Sequence, residues 1–569
     1  MFSMHSVLRA ASGVAVVSLI VAFPAESVRA RQSVTGRQAM VVSVRQEASD
    51  VGVDVLKRGG NAVDAAVSVA LALAVTFPEA GNIGGGGFMV IHPGPGATPV
   101  VIDYREVAPA AATRELFAEL TSRLGHKTVG VPGTVRGLAL AHQRLGSLPW
   151  RDVVEPAVRL AERGFPLDAR LAESLNRIVA TSPRFDELCR IYGPRDGAAQ
   201  WREGDVLTQP ELARSLRQIA EHGPDAFYRG AIADLIAEEM QRGGGLITKE
   251  DLAAYQAIVR KPAHTTFRGY DVYCPPAPSG GVVLIEMLNT LENFDLRQHG
   301  RWSAATNHLV IESMRLAYFD RACFLADPSF VEIPSRLESK EYAKQLAESI
   351  DIGRAGSSEH LAGSRGIALV AESANTTHFS IIDGDAMAVS NTYTLEQSYG
   401  SRVVVGGGGF LLNNEMGDFG WRPGVTDRKG TIGTEPNLIE PGKRMLSSQT
   451  PTIVLKDGKP VLLTGSPGGR TIINTVLQVL LNTLEFDMDL VDAIDAPRFH
   501  HQWFPDQVVF ERKAFDAHPQ LMKALLALGH KLASPVTAQG DAHSVWVDSQ
   551  SGVYHGVADL RRNGYAAGY

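Results

Sequence analysis

Thr376, within Asn375-Thr376-Thr377-His378-Phe379-Ser380, and Thr394, within Thr392-Tyr393-Thr394, are the residues whose chemistry is easiest to specify. A threonine hydroxyl is a poor nucleophile until a base takes its proton. One economical base is the residue's own α-amino group, which is free only if the preceding peptide bond has been cut. That amine has a pKa near ~7.7, so it exchanges protons at neutral pH. A cut between Asn375 and Thr376 would make one residue both nucleophile and base. Taken alone, the hexapeptide also reads as the start of an ordinary β-branched strand.

A tetrahedral intermediate on that hydroxyl would need hydrogen-bond donors already in place. Gly468-Gly469, in Gly465-Ser466-Pro467-Gly468-Gly469, falls between a strand expected to end at Thr464 and a helix expected from about Thr471 to Leu484. Backbone N–H groups at a helix start point outward, and glycine permits close approach.

The elements that must hold these groups follow from pattern. Thr377 to Ile382 and Ala386 to Leu395 read as strands joined by Asp383-Gly384-Asp385. Pro451 to Lys456 and Pro460 to Thr464 flank Asp457-Gly458, a hairpin signal. His543 to Asp548 and Val553 to Val557 read as a late hairpin. Asn61 caps a run from Ala62 to Val75 that is apolar almost all round, hence a buried helix stopped before Pro78. Ile83-Gly84-Gly85-Gly86-Gly87 leads into strands at Phe88 to His92 and Val100 to Tyr104. Residues 131–325 read mainly as helices, one face being Val153, Ala157, Leu160 and Ala161, another Val310, Met314 and Ala317. Ser357, Ser358, Gly363 and Ser364 suggest an exposed loop ahead of Thr376, as suits a chain that is cut there. Together these elements predict helices covering packed sheets, an α+β class.

The motifs at Thr376 and Thr394, followed by Leu412-Asn413-Asn414-Glu415-Met416, Leu446-Ser447-Ser448 and Gly465 to Gly469, occur in an order that resembles the γ-glutamyltranspeptidase (glutathione hydrolase) family of N-terminal-nucleophile hydrolases. The resemblance runs from near Ala39 to Tyr569. It implies an αββα four-layer sandwich and a precursor cut before Thr376, giving a large subunit 31–375 and a small subunit 376–569. The substrate it implies is a γ-glutamyl compound such as glutathione, whose acyl group passes to water or an amino acid. No cofactor and no metal are implied. By the same resemblance Thr394 bonds the nucleophile, and Gly468 and Gly469 form the oxyanion hole. Arg105 binds the substrate carboxylate with Ser447 and Ser448, and Glu415, Asp418 and Glu396 surround its ammonium. Glu396 stands where some members carry Asn, and Glu415 where some carry Gln. The stretch from Arg422 to Arg444 matches the lid loop but has no Tyr or Trp beyond Pro423, so the aromatic gate of some members is missing.

The remainder of the chain sets bounds. Its 569 residues are 44% hydrophobic and 21% charged with net charge -7, ordinary for a globular protein. No dense basic run points to nucleic acid. His5 and Arg9, an apolar run from Ala10 to Phe23, and Val28-Arg29-Ala30 have the layout of a secretory signal, residues 1–30, which predicts export to the periplasm or medium. The rival is an uncleaved anchor, for which the run is short. Cys189, Cys274 and Cys323 lack paired spacing and are expected to be buried thiols, although one disulfide stays open. His378 with His500-His501 lacks ligand spacing, and the His-His pair reads as packing. The glycine runs lack a following Gly-Lys-Ser/Thr, which excludes a phosphate loop. Two rival functions stay open: a β-lactam side-chain amidase of the glutaryl-cephalosporin type, for which an acidic cluster would be superfluous, and an uncut extracytoplasmic binding protein.

Overall fold

The computed structural model describes residues 33–194, 197–365, 376–424, 426 and 433–569. The expected leader, Asn375 and part of the expected lid fall outside these residues.

Side-chain alternation builds four layers. In a strand, successive residues face opposite ways, so a strand buried on both faces must be apolar on both. Met40, Val42, Phe88, Val90 and Ile382 point to one side and meet Ile453, Leu455, Leu463 and Val545 of a second sheet. Val41, Met89, Ile91, Phe379 and Ile381 point to the other side, against the helices Gln46–Lys57 and Ala62–Thr76. Val454 and Leu462 of the second sheet face the helices Gly281–Leu291, Ala304–Phe324 and Thr471–Leu480. The result is helix, sheet, sheet, helix, as expected.

Each main sheet has seven strands. The first runs Tyr565–Gly568, Ala39–Ser43, Thr377–Asp383, Ala388–Thr394, Gly86–His92, Val100–Asp103 and Ile258–Arg260, all antiparallel. The second runs Val34–Gly36, Tyr554–Val557, Ser544–Val547, Lys459–Thr464, Thr452–Lys456, Tyr270–Cys274 and Ala263–Phe267. Both therefore interleave strands from before residue 375 with strands from after it. Ser33–Tyr569 forms one compact unit.

The helix Ala62–Thr76 is buried at every residue. Asn61 accepts hydrogen bonds from the N–H groups of Val63 and Asp64, and the Asp64 carboxylate accepts from that of Asn61. This reciprocal cap satisfies donors that have no partner within the helix. The four glycines after Ile83 prove to be a packing device. A Cβ on Gly84 would lie 2.1 Å from the Leu411 carbonyl oxygen, and one on Gly85 2.0 Å from that of Thr394.

Three expectations need correction. Residues 131–325 are mainly helical, as expected, but three strands, Ile258–Arg260, Ala263–Phe267 and Tyr270–Cys274, interrupt the helices and finish the sheet edges. Their mix of polar and apolar residues gives a weaker apolar signal than the fully buried central strands. The expected loop around Ser358 is the helix Ser358–Arg365, with Ser358 buried and hydrogen-bonded by Arg315. The three cysteines are free thiols, but only Cys274 is fully buried.

Candidate active site

The hairpin of Thr377–Asp383 and Ala388–Thr394 sits at the centre of the first sheet. Its turn is held by Asp383, whose Oδ1 accepts from the N–H groups of Asp385 and Met387. Register then decides geometry: Thr377 lies opposite Tyr393, so Thr376 and Thr394 face each other at the open end. Their Oγ1 atoms are 3.4 Å apart. Thr394 Oγ1 also accepts from the Glu396 N–H at 2.8 Å. Among the described residues no ionisable side chain hydrogen-bonds the Thr376 hydroxyl.

Behind this pair His378 is a brace. Ser380 Oγ donates to the His543 carbonyl at 2.8 Å, so it must accept from His378 Nε2–H at 3.1 Å. That leaves Nδ1 to accept from Thr392 Oγ1 at 2.9 Å and fixes the tautomer. Burial, then the neighbouring His543, holds the His378 pKa well below the usual imidazole value, so the ring is neutral.

From the second sheet the strand Lys459–Thr464 runs into Gly465 to Gly469 and then the helix Thr471–Leu480. A Cβ on Gly465 would lie 2.3 Å from the His378 ring, so the loop crosses directly over the brace. Gly468 and Gly469 take φ of 130° and 57°, which glycine adopts without penalty. Thr471 donates to the Gly468 carbonyl through both its N–H and its hydroxyl. Among the described residues the N–H groups of Gly468 and Gly469 donate to no protein acceptor, and both residues line the cavity that holds Thr376.

The other end of the cavity is charged. Arg105 is fully buried; its Nη1 lies 2.6 Å from Glu415 and 3.2 Å from Glu106, its Nη2 2.5 Å from Asp418. Nε donates to the Met445 carbonyl and Nη2 also reaches that of Leu446. Arg105, expected to bind a carboxylate, and Glu415 and Asp418, expected around an ammonium, here pair with one another. Burial first, with Arg105 opposing it and neighbouring acids adding to it, pushes the Glu415 pKa well above the carboxylate range. Burial likewise pushes Glu106 up to about 7, again against Arg105. Glu396 lies 3.9 Å from Arg123 and has φ of 77°, a left-handed conformation that Asn adopts more readily than Glu.

Ser447 and Ser448 close the opposite wall. Asn437 ties the two walls together, donating to the Asp418 carbonyl and accepting from the Leu446 N–H. The cavity is about 380 Å³ and is lined by every expected site residue in the described part of the chain: Thr376, Thr394, Gly468, Gly469, Arg105, Glu396, Glu415, Asp418, Ser447 and Ser448. It is also lined by Arg123, Arg321, Arg470 and Gln449, which the sequence did not single out, and by His500. Arg470 and Gln449 directly follow singled-out motifs, while Arg123 and Arg321 are polar residues that only the fold brings to the cavity. His500, expected to pack, accepts from Asn474 and bonds Gln502; burial lowers its pKa to about 4.

One further buried group gathers elsewhere: His308, Glu312 and His530, with ligand atoms within 4.8 Å of one another. The two rings hydrogen-bond each other and Glu312 is paired with Arg315, whose charge would oppose a divalent ion.

Comparison with known proteins bears on the whole chain. The family model Gamma-glutamyltranspeptidase matches residues 48–569. The glutathione hydrolase proenzyme of Escherichia coli (strain K12) is 46% identical, over 94% of this chain and 93% of its own. The acylase ACY 1 proenzyme of Pseudomonas sp. (strain SE83) is 34% identical, over 94% of both. The crystal structure of cephalosporin acylase from Bacillus halodurans superposes with TM-score 0.83 at 27% identity, covering 97% of this chain and 99% of that one.

Proposed function

The chain belongs to the γ-glutamyltranspeptidase family, and we propose that it is a self-processing γ-glutamyl hydrolase and transpeptidase acting on glutathione and related compounds through Thr376. The observation that carries this is one cavity holding a hydroxyl pair, a diglycine turn and charged groups of both signs.

In this reading Thr376 Oγ1 first attacks the Asn375 carbonyl; water hydrolyses the resulting ester and leaves chains 31–375 and 376–569. The freed amine then takes the hydroxyl proton as Oγ1 attacks the γ-glutamyl amide carbon. Thr394 orients the attacking oxygen. The N–H groups of Gly468 and Gly469 hold the oxyanion as it forms. Collapse breaks the C–N bond, and the amine proton goes to the departing nitrogen. Water or an amino-acid amine attacks the ester and gives a proton to the Thr376 amine; the ester C–O bond then breaks, the amine passes that proton to Oγ1, and the glutamyl product leaves. Ser447 and Ser448 meet the α-carboxylate, and Glu396, Glu415 and Asp418 the ammonium. The leader makes the protein an exported one; no helix among the described residues is long and apolar enough to cross a membrane.

The acylase relatives supply the rival reading, against which the acidic wall counts. Turnover of γ-glutamyl-anilide above glutaryl-anilide, with Thr376 as the first residue of the smaller fragment by N-terminal sequencing, is the expected result. The reverse preference, or an uncut active chain, would overturn it.

A further inference from the structure

Three carboxylates and two carbonyl oxygens occupy the donors of Arg105. Arg321, from the helix Ala304–Phe324, is differently placed. It is buried, lines the same cavity, and lies within ion-pair distance of no carboxylate among the described residues. Its Nη2 donates to Ser448 Oγ at 3.1 Å and to the Ser447 carbonyl at 3.3 Å, while Nε has no partner. Burial, then the nearby Arg470, lowers its pKa only to about 10, so it carries a full charge at neutral pH. A buried cation without a counter-ion is costly, and an arriving carboxylate would relieve that cost.

A guanidinium can only donate, so Ser448 Oγ accepts from Arg321 and its single proton is left to point elsewhere. Ser447 Oγ is treated likewise, accepting from the Gln449 N–H at 3.1 Å. Both hydroxyls are therefore set to donate into the cavity.

We propose that Arg321 is a positioning residue that holds Ser448 as a hydrogen-bond donor and thereby sets the preference for substrates bearing an α-carboxylate. The proposal rests on the γ-glutamyl reading above and adds to it the residue that makes the serine wall selective.

The test compares the matured parent, Arg321→Met and Arg321→Lys on γ-glutamyl-4-nitroanilide and on 4-aminobutyryl-4-nitroanilide, which lacks only the α-carboxylate. Arg321→Met should raise KM for the first substrate about 10-fold or more, the loss expected for a hydrogen bond to a charged group. It should leave kcat within about 3-fold and leave kcat/KM for the second substrate unchanged; Arg321→Lys should recover part of the loss. Equal losses on both substrates, the signature of a merely structural role, would overturn it. Should Arg321→Met fail to mature, a cycle of Arg321→Lys with Ser448→Ala serves: the lysine's effect on KM should vanish once the hydroxyl is gone, and additive effects would overturn the coupling. A parent that hydrolyses no γ-glutamyl substrate removes the functional reading and this proposal with it. A parent that does, beside variants of unchanged preference, removes the proposal alone.

Discussion

The two ends of the cavity are built on opposite principles. The nucleophile end is neutral: two threonine hydroxyls, a neutral His378 and two glycine N–H groups, set by strand register and a strand-to-helix turn. The other end is charged: Arg105 and Glu106 on an irregular segment, Glu415 and Asp418 on a short 3-10 helix, with burial pushing Glu106 and Glu415 upward and neighbouring acids adding to it. The difference is instructive. Attack geometry tolerates little displacement and is entrusted to the most rigid part of the fold. In the proposed reading, recognition of an amino-acid head would use charges that exchange partners, Arg105 loosening its hold on Glu415 or Asp418 so that both halves of a zwitterion are met.

Breaking the neutral end has the largest effects. Thr376→Ala should give an uncut chain on a denaturing gel and turnover lower by at least about 10³-fold. Gly469→Val should still mature in part but lose about 10²- to 10³-fold in kcat, since it disturbs an oxyanion donor at φ of 57°. Unchanged kcat there would remove Gly469 from the oxyanion site.

At the charged end, Arg105→Ala should affect stability as well as affinity. It leaves Glu106, Glu415 and Asp418 without their shared cation, a loss of about 3 kcal/mol or more, readable as a lower Tm. An unaltered Tm would mean the acids find another counter-ion. The acid cluster also gives a pH signature. A raised carboxylate pKa means that the proton leaves Glu106 only as pH rises through about 7, with Glu415 also held above the usual carboxylate range, and the ionised cluster binds an ammonium better. For the parent, kcat/KM should therefore climb with pH more steeply than kcat, which follows the Thr376 amine in the bound complex. In Glu415→Gln the two profiles should run more nearly parallel; persistence of the full difference would assign the titration elsewhere. The smallest effect sharpens the contrast. Glu396→Asn should raise stability by up to about 1 kcal/mol by relieving the left-handed backbone.

Much of the neutral end was legible in the sequence because its determinants are local. The hairpin turn at Asp383 to Asp385 was legible, and its register puts Thr376 beside Thr394, a pairing the sequence offered only through the family resemblance; the Gly468-Gly469 turn sits where a strand hands over to a helix. The four layers were legible as a class from the mixture of strands and helices, and as an αββα sandwich through the family resemblance. The charged end was legible only as residue types. Arg105 and Glu415 are 310 positions apart in the numbering, and no spacing rule says that they pair rather than await a ligand. Arg321 was invisible for the same reason, one basic residue on a long helix whose relation to Ser448 exists only after folding. The edge strands from Ile258 to Cys274 were absorbed into a mainly helical reading because they are short and rich in polar residues.

The order of strands has one more consequence. A backbone cut ahead of Thr376 leaves Thr377–Asp383 hydrogen-bonded to Ala39–Ser43, and Tyr565–Gly568 closing the far side of that same N-terminal strand. Neither fragment owns a complete sheet, so diluting the cut protein should not dissociate it. The pair should melt in one step as two pieces of a single fold, at a temperature that rises with concentration because unfolding separates the chains.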